Sequence, residues 1–348
     1  MTLLVRDEAD VVDAQIAFHL HAGVDFVIAT DNRSQDGTTE ILERYERAGA
    51  LHLIREPGDD LRQSEWVTRM AKLAATDFGA DWIINADADE FWWPRGADLK
   101  QVLDAVPLRY GVVRGAWRNF VPRPMGAPFF AERMTALLRA PGFHAHPLST
   151  HSKSAHRASP DVRIGRGNHE AFAPELRPLR GWFPLEILHF PVRSLEHCIR
   201  KYVTQFVALE KNADKGIPEH MATAYHAYRA GRLEAFYEPL VVDDAALAEG
   251  MADGRLAIDE RLRDVLRGIR TAGDAARPRF APPAGGGLPF RGPDVPDQAA
   301  FASETSVLPE ADLALSLGAW VDDLDSRLTR MERSGFARVR GLVRAGRR

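Results

Sequence analysis

Three carboxylates fall within the four residues Asp87-Ala88-Asp89-Glu90, directly after the apolar run Trp82-Ile83-Ile84. Carboxylates this close repel one another, and keeping them ionised costs free energy unless positive charge sits among them. A divalent cation is the usual remedy, because hard oxygen ligands suit magnesium or manganese and the ion becomes the largest local charge. The apolar run reads as a buried strand, which puts the acids at its carboxyl end, where ligands bind in open α/β sheets. The alternative reading of an isolated Asp-x-Asp is a solvated acidic turn.

The sequence on either side weighs against that alternative. Met1 to Val5 reads as a short buried strand followed at once by Arg6-Asp7-Glu8. A helix with Val12, Ile16 and Leu20 on one face stops near Gly23. Asp25 to Thr30 is a second strand, running into the turn-rich loop Asp31-Asn32-Arg33-Ser34-Gln35-Asp36-Gly37-Thr38. A second helix through Ile41, Leu42 and Tyr45, a strand at Leu51 to Ile54 and a helix through Trp66, Met70 and Leu73 precede the acidic strand. Strands alternating with helices mean crossover units on a parallel sheet, so the fold class is α/β. If the first, second and fourth strands are neighbours, their three acidic loops meet on one edge of that sheet.

Those three loops carry a resemblance. Arg6-Asp7-Glu8, then Asp31-Asn32-x-Ser34-x-Asp36-Gly37-Thr38, then Asp87-Ala88-Asp89-Glu90-Phe91 resembles glycosyltransferase family 2 and its family 92-like branch. The match covers residues 1–120 and thins to scattered motifs up to residue 205. The resemblance implies a GT-A (Rossmann-like) fold, a mostly parallel sheet flanked by helices, that binds a nucleotide-diphosphate sugar, with UDP-sugars favoured. By the same resemblance Asp31 is implied to meet the base, and the Asp-x-Asp motif implies Asp87 at the ribose or the metal and Asp89 at the metal bridging the diphosphate. Arg6, Glu8, Asn32 and Asp36 complete the implied nucleotide-sugar set. A cation in place beforehand meets the charge that develops on the leaving oxygen. His189, in Ile187-Leu188-His189-Phe190, is similar to the third metal ligand of such enzymes.

The rest of the chain offers acceptor-side and structural candidates. Phe91-Trp92-Trp93-Pro94 either covers the nucleotide, stacks on an acceptor sugar or packs the core. A helix from Leu99 to Val106, a strand from Gly111 to Trp117 and a proline-rich loop over 119–128 follow. His144, His146, His151, His156 and His169 are close in sequence but match no zinc spacing. The family pattern instead suggests strands lining the acceptor pocket there, with Lys153 and Arg157 available to phosphate. An inverting transfer needs a carboxylate to take the acceptor hydroxyl's proton, and Glu170 or Glu186 is the candidate base. Arg193, Arg200 and Lys201 either reach the diphosphate or decorate a helix. The helix from Ser194 begins a helical cap over about residues 194–275, the end of a catalytic domain spanning 1–275. A Pro/Gly-rich linker over 276–300 and a basic helical tail over 301–348 form the C-terminal extension. The tail, from Pro309, is suited to self-association or to lying on anionic lipid.

Composition narrows the class further. The 348 residues carry a net charge of only −4, which gives no global field for a nucleic-acid partner. The one cysteine, Cys198, excludes an internal disulfide and reads as a small buried thiol in a reducing, cytoplasmic setting. No window approaches the roughly 20 apolar residues of a membrane span. The expectation is a metal-dependent, inverting, non-processive hexosyltransferase acting on a saccharide or lipid-linked acceptor, as in surface polysaccharide or lipopolysaccharide assembly. Its rivals are a sugar nucleotidyltransferase, which normally carries a glycine-rich basic loop after the first strand, and a catalytically idle scaffold.

Overall fold

The computed structural model describes residues 1–58, 62–94, 98–104, 106, 108–139, 152–179, 185–211 and 219–272. The predicted linker and basic tail, and His144, His146 and His151, lie outside them. The first half runs β1 (Thr2–Val5), α1 (Val12–His21), β2 (Val27–Asp31), α2 (Thr38–Arg47), β3 (Leu51–Arg55), α3 (Gln63–Thr76) and β4 (Trp82–Asp87). Then come β5 (Glu90–Pro94), α4 (Leu99–Asp104), β6 (Val112–Asn119), α5 (Phe130–Arg133), β7 (Ala136–Leu138) and β8 (Ser152–Arg157). β9 (Arg163–Ile164), β10 (Ala171–Phe172) and β11 (Leu185–His189) lead into α6 (Leu195–Cys198), a π turn (Ile199–Thr204) and α7 (Gln205–Glu210). The described chain closes with α8 (Glu219–Arg229), α9 (Leu233–Tyr237), α10 (Asp244–Ala252), β12 (Leu256–Ile258) and α11 (Arg261–Ala272).

The main sheet has eight strands in the order β3-β2-β1-β4-β8-β6-β11-β5. β1 lies parallel between β2 and β4, so the three acidic loops leave neighbouring strands in the same direction. This is the α/β architecture expected, a mostly parallel sheet flanked by helices. The further half is mixed: β8 runs antiparallel to β4 and β6, whereas β11 is parallel to β6 and antiparallel to β5.

The near-continuous apolar strands follow from a sheet covered on both faces. Side chains alternate across each strand. Val27, Ala29, Ile84 and Ala86 join one core layer with Ile16 and Phe18 of α1, while Ile28 and Ile83 join a second with Val67, Met70 and Ala74 of α3. The aromatic run after the acids is core. Phe91, Trp92 and Trp93 are buried in β5, and Phe18 packs against Phe91 edge-on at 5.6 Å and stacks on Trp93 at 5.9 Å. The helix expected from Ser194 is present but broken by the π turn, with Ser194 Oγ accepting from the His197 amide as an N-cap. Among the described residues no helix is long and apolar enough to cross a membrane.

Gly115 of β6 shows how tightly the second half is packed. A Cβ there would sit 2.8 Å from the Ile187 side chain and 3.3 Å from the Trp92 ring. Overpacking of a core typically costs about 1–3 kcal/mol. Gly115→Val is therefore expected to lower the urea midpoint with an unchanged m-value. A wild-type midpoint would show that the strand has room to spare.

Candidate active site

The loops after β1 and β2 clasp each other through the polar residues of the second loop. Ser34 Oγ accepts from the Asp7 amide (3.0 Å), Thr38 Oγ1 from the Glu8 amide (2.8 Å) and Asp36 Oδ2 from the Ala9 amide (3.0 Å). The Asp7 carboxylate returns the contact by accepting from the Gln35 amide at 2.7 Å. Asp31, buried at the end of β2, accepts from the Ser34 amide (3.0 Å) and the Thr39 hydroxyl (2.5 Å). Asn32 donates to the Gly58 carbonyl (2.7 Å), and Arg6 reaches Asn32 Oδ1 at 3.3 Å. Much of the Asp-Asn-x-Ser-x-Asp-Gly-Thr motif thus serves to fix two loops against each other.

The backbone is unusual at the same place. Asp7 (φ 58°), Arg33 (φ 61°) and Asn168 (φ 60°) are the positive-φ non-glycine residues among the described residues. Left-handed non-glycine residues cost free energy and tend to cluster at functional sites. Two of these lie in the clasped loops, and Asn168 donates to Asp87 Oδ1 at 3.0 Å.

The acids after β4 are met by cations from far along the chain. Lys153 of β8 sits between Asp87 Oδ2 (2.5 Å) and Glu90 Oε1 (2.9 Å). Lys201 of the π turn pairs with Asp89. Glu90 also accepts from the Trp117 indole at 2.9 Å, and Trp117 stacks on His189 with ring centroids 4.1 Å apart. His189 Nδ1 lies 2.7 Å from Asn119 Oδ1, and its Nε2 approaches Asp89 Oδ2 at 3.7 Å. A third cation, Arg193, is fully buried; it pairs with Glu8 and donates twice to Asp10, at 2.7 and 2.8 Å.

Protonation follows these pairings. Burial alone would raise Asp10, but Arg193 more than reverses this and brings it down to about 2. Burial likewise opposes ionised Glu8 and Asp89, yet Arg193 with His197 lowers the first, and Lys201, His189 and Arg193 lower the second. Glu90 goes the other way. Its burial dominates, Asp87 and Asp89 add repulsion, and Lys153 only partly offsets them, so its carboxyl is pushed up to about 8. Burial also pushes the Cys198 thiol up to about 12, as suits an inert core residue.

The cation expected among Asp87, Asp89 and His189 does not fit this arrangement. Asp87 faces Lys153 and Asn168, and Asp89 faces Lys201. Among the described residues no three His, Cys, Asp or Glu side chains come together in a way that could hold an ion. Ammonium groups sit on both aspartates. The two candidate bases also part company. Glu186 pairs with Arg261 (2.8 Å) and Arg118 (3.6 Å), and by strand alternation it lies on the opposite face of β11 from His189. Glu170 accepts from Arg114 at 2.6 Å and follows Asn168 and His169 in the turn that touches Asp87. Arg157 binds the Val106 and Tyr110 carbonyls, and Arg200 pairs with Glu196, so both hold structure.

Sequence reasoning missed Asp10, Trp117 and Asn119 as partners in this cluster. The pairing of Lys153 carried a faint signal: it is a lysine between Ser152 and Ser154 in a strand whose neighbours are small enough to be buried.

No protein-family model matches the chain, and no curated protein matches it. Among solved structures it is similar to TarS of S. aureus in complex with UDP-GlcNAc, at 12% identity and a TM-score of 0.34, covering 78% of this chain and 86% of that one. The same protein in complex with UDP gives 10% identity and a TM-score of 0.30 over 78% of this chain and 91% of that one. A mycobacterial protein gives 15% identity and a TM-score of 0.28 over 66% and 73%. Similarity this low supplies no residue correspondences, and the reading of the site rests on the chain's own geometry.

Two outcomes follow from the charge pairing. Arg193→Met leaves the buried Glu8 without its guanidinium, and breaking a buried pair on one side costs about 3–5 kcal/mol, to which the solvent-screened pair with exposed Asp10 adds little. Chemical denaturation is expected to show a loss of that order, and a loss under ~1 kcal/mol would mean that water replaces the guanidinium. Glu90 titrates from 4.5 unfolded to about 8 folded, so its contribution is fully present below pH 4.5 and fades as pH rises through 8. Between pH 5 and 8 the urea midpoint of Glu90→Gln should therefore fall less than that of the wild type. Equal falls would place the titration elsewhere.

Proposed function

We propose that the chain is a glycosyltransferase that moves a sugar from a nucleotide-diphosphate donor to a saccharide or lipid-linked saccharide acceptor, with inversion. The observation carrying this reading is the convergence of three acidic loops at the carboxyl ends of the adjacent strands β2, β1 and β4. That edge is where open α/β sheets bind ligands, and the motif residues there match the resemblance noted in the sequence.

In this reading Asp31 and Asn32 hold the base, and Asp87 faces the ribose. The oxygens of Asp31 already accept within their own loop, but each keeps a second lone pair for a ligand. The diphosphate, in the same reading, meets the Asp89–Lys201 pair. Glu170 is the better-placed base. Held by Arg114, it takes the proton of the acceptor hydroxyl as that oxygen attacks the anomeric carbon. The bond from the anomeric carbon to the diphosphate oxygen breaks in the same step, and the electron pair leaves with the nucleoside diphosphate. Glu186 is tied to Arg261 and is not needed in this scheme.

Calorimetric titration with UDP and GDP tests the donor site. With manganese present, one nucleotide is expected to bind the wild type, and Asp31→Ala is expected to weaken it by about tenfold or more, roughly a lost charge-assisted hydrogen bond. Absence of binding by either nucleotide to folded protein would overturn the reading.

A further inference from the structure

The three cations of the site differ in what they are free to do. Arg193 is fully buried and engages Glu8, Asp10 and the Phe190 carbonyl. Lys153 has a side chain only 1% exposed, wedged between Asp87 and Glu90 under the Trp117 ring at 5.3 Å. Lys201 has a side chain 17% exposed, with Asp89 and the Pro191 carbonyl (3.3 Å) as its partners. An ammonium group has three donors. Lys201 is thus the cation of this cluster that an incoming ligand can reach while it still holds its carboxylate.

The backbone beneath it is a second, independent observation. Between α6 and α7 the helix widens into the π turn Ile199–Thr204, which contains Lys201. Such turns are rare and occur frequently at functional sites, because the extra residue re-aims side chains within an otherwise regular helix. Tyr202 of this turn is buried in the core formed with α8 and α9, while Lys201 next to it points back to Asp89.

We propose that Lys201 is the built-in cation that meets the diphosphate of the nucleotide donor, so that nucleotide binding needs no divalent ion. This rests on the donor-site reading above. In a water-poor site a fixed positive charge aimed at a phosphate acts far more strongly than in bulk water. One N–H of Lys201 keeps Asp89, and another turns to the phosphate oxygens. Lys153, seated between Asp87 and Glu90 behind it, offsets part of their charge, so the acids do not repel the ligand in full. A divalent ion would have to displace an ammonium group already seated on Asp89.

Titration of UDP, or of GDP if that is the nucleotide that binds, into the full chain decides the matter. Affinity in excess EDTA is expected to lie within about threefold of that in manganese. Lys201→Gln should lose about tenfold or more in EDTA, and Lys201→Arg should keep most of the affinity. Nucleotide binding by the wild type in manganese but not in EDTA would overturn the proposal and leave the donor site standing. Unchanged affinity in a folded Lys201→Gln protein would overturn it as well. Failure of both nucleotides under both conditions would remove the donor site and this role together. The wild-type comparison requires no variant to fold.

Discussion

Five carboxylates gathered at one sheet edge are the constraint on which this molecule turns. Glu8, Asp10, Asp87, Asp89 and Glu90 come from two loops of the first hundred residues and are compensated by Lys153, Arg193 and Lys201. A buried charge without a partner costs several kcal/mol, more than most single packing contacts contribute. The loops can therefore be held together only because β8, the loop after β11 and the π turn deliver cations into them. The mixed half of the sheet places those cations, since β8 pairs with β4 and β11 ends beside Glu90.

Much of the architecture was legible in the sequence, and for a plain reason. Apolar runs of strand length, helical stripes such as Trp66 and Met70, and stops such as Gly79 are local signals, and the first four strands obey them. The neighbourhood of β2 and β1 follows from the preference of consecutive strands for adjacent positions, whereas β4 lies beside β1 and not beside β3, a reversal that chain order does not give. What could not be read was the source of the compensating charge. The acids were visible as a problem in need of positive charge, and a divalent ion is the commonest answer. Lys153 and Lys201 lie 66 and 112 residues from their partners. No periodicity connects positions so far apart.

The loop motif shows a different kind of illegibility. Residue types that can bind a ligand can equally bind a neighbouring loop, and a sequence does not distinguish the two. Ser34, Asp36 and Thr38 turn to the amides of Asp7, Glu8 and Ala9. Asp7 holds its left-handed conformation within that clasp. Such residues pre-organise a binding edge without touching what binds there. Glu186 has the opposite history: a candidate by residue type, it is set aside by the alternation of β11 and by Arg261.

The two-residue link between β4 and β5 has a consequence for how the chain is made. Only Ala88 and Asp89 separate a strand in the middle of the sheet from one at its far edge, and β5 finds its partner in β11, residues 185–189. During synthesis, Phe91, Trp92 and Trp93 emerge long before the strand that covers them and before Lys201, which neutralises Asp89. Pairings between such distant segments form slowly, and an uncovered apolar strand is a template for association with other chains. The nascent first half is therefore a segment in need of protection, and its safe period begins only once the π turn has left the ribosome.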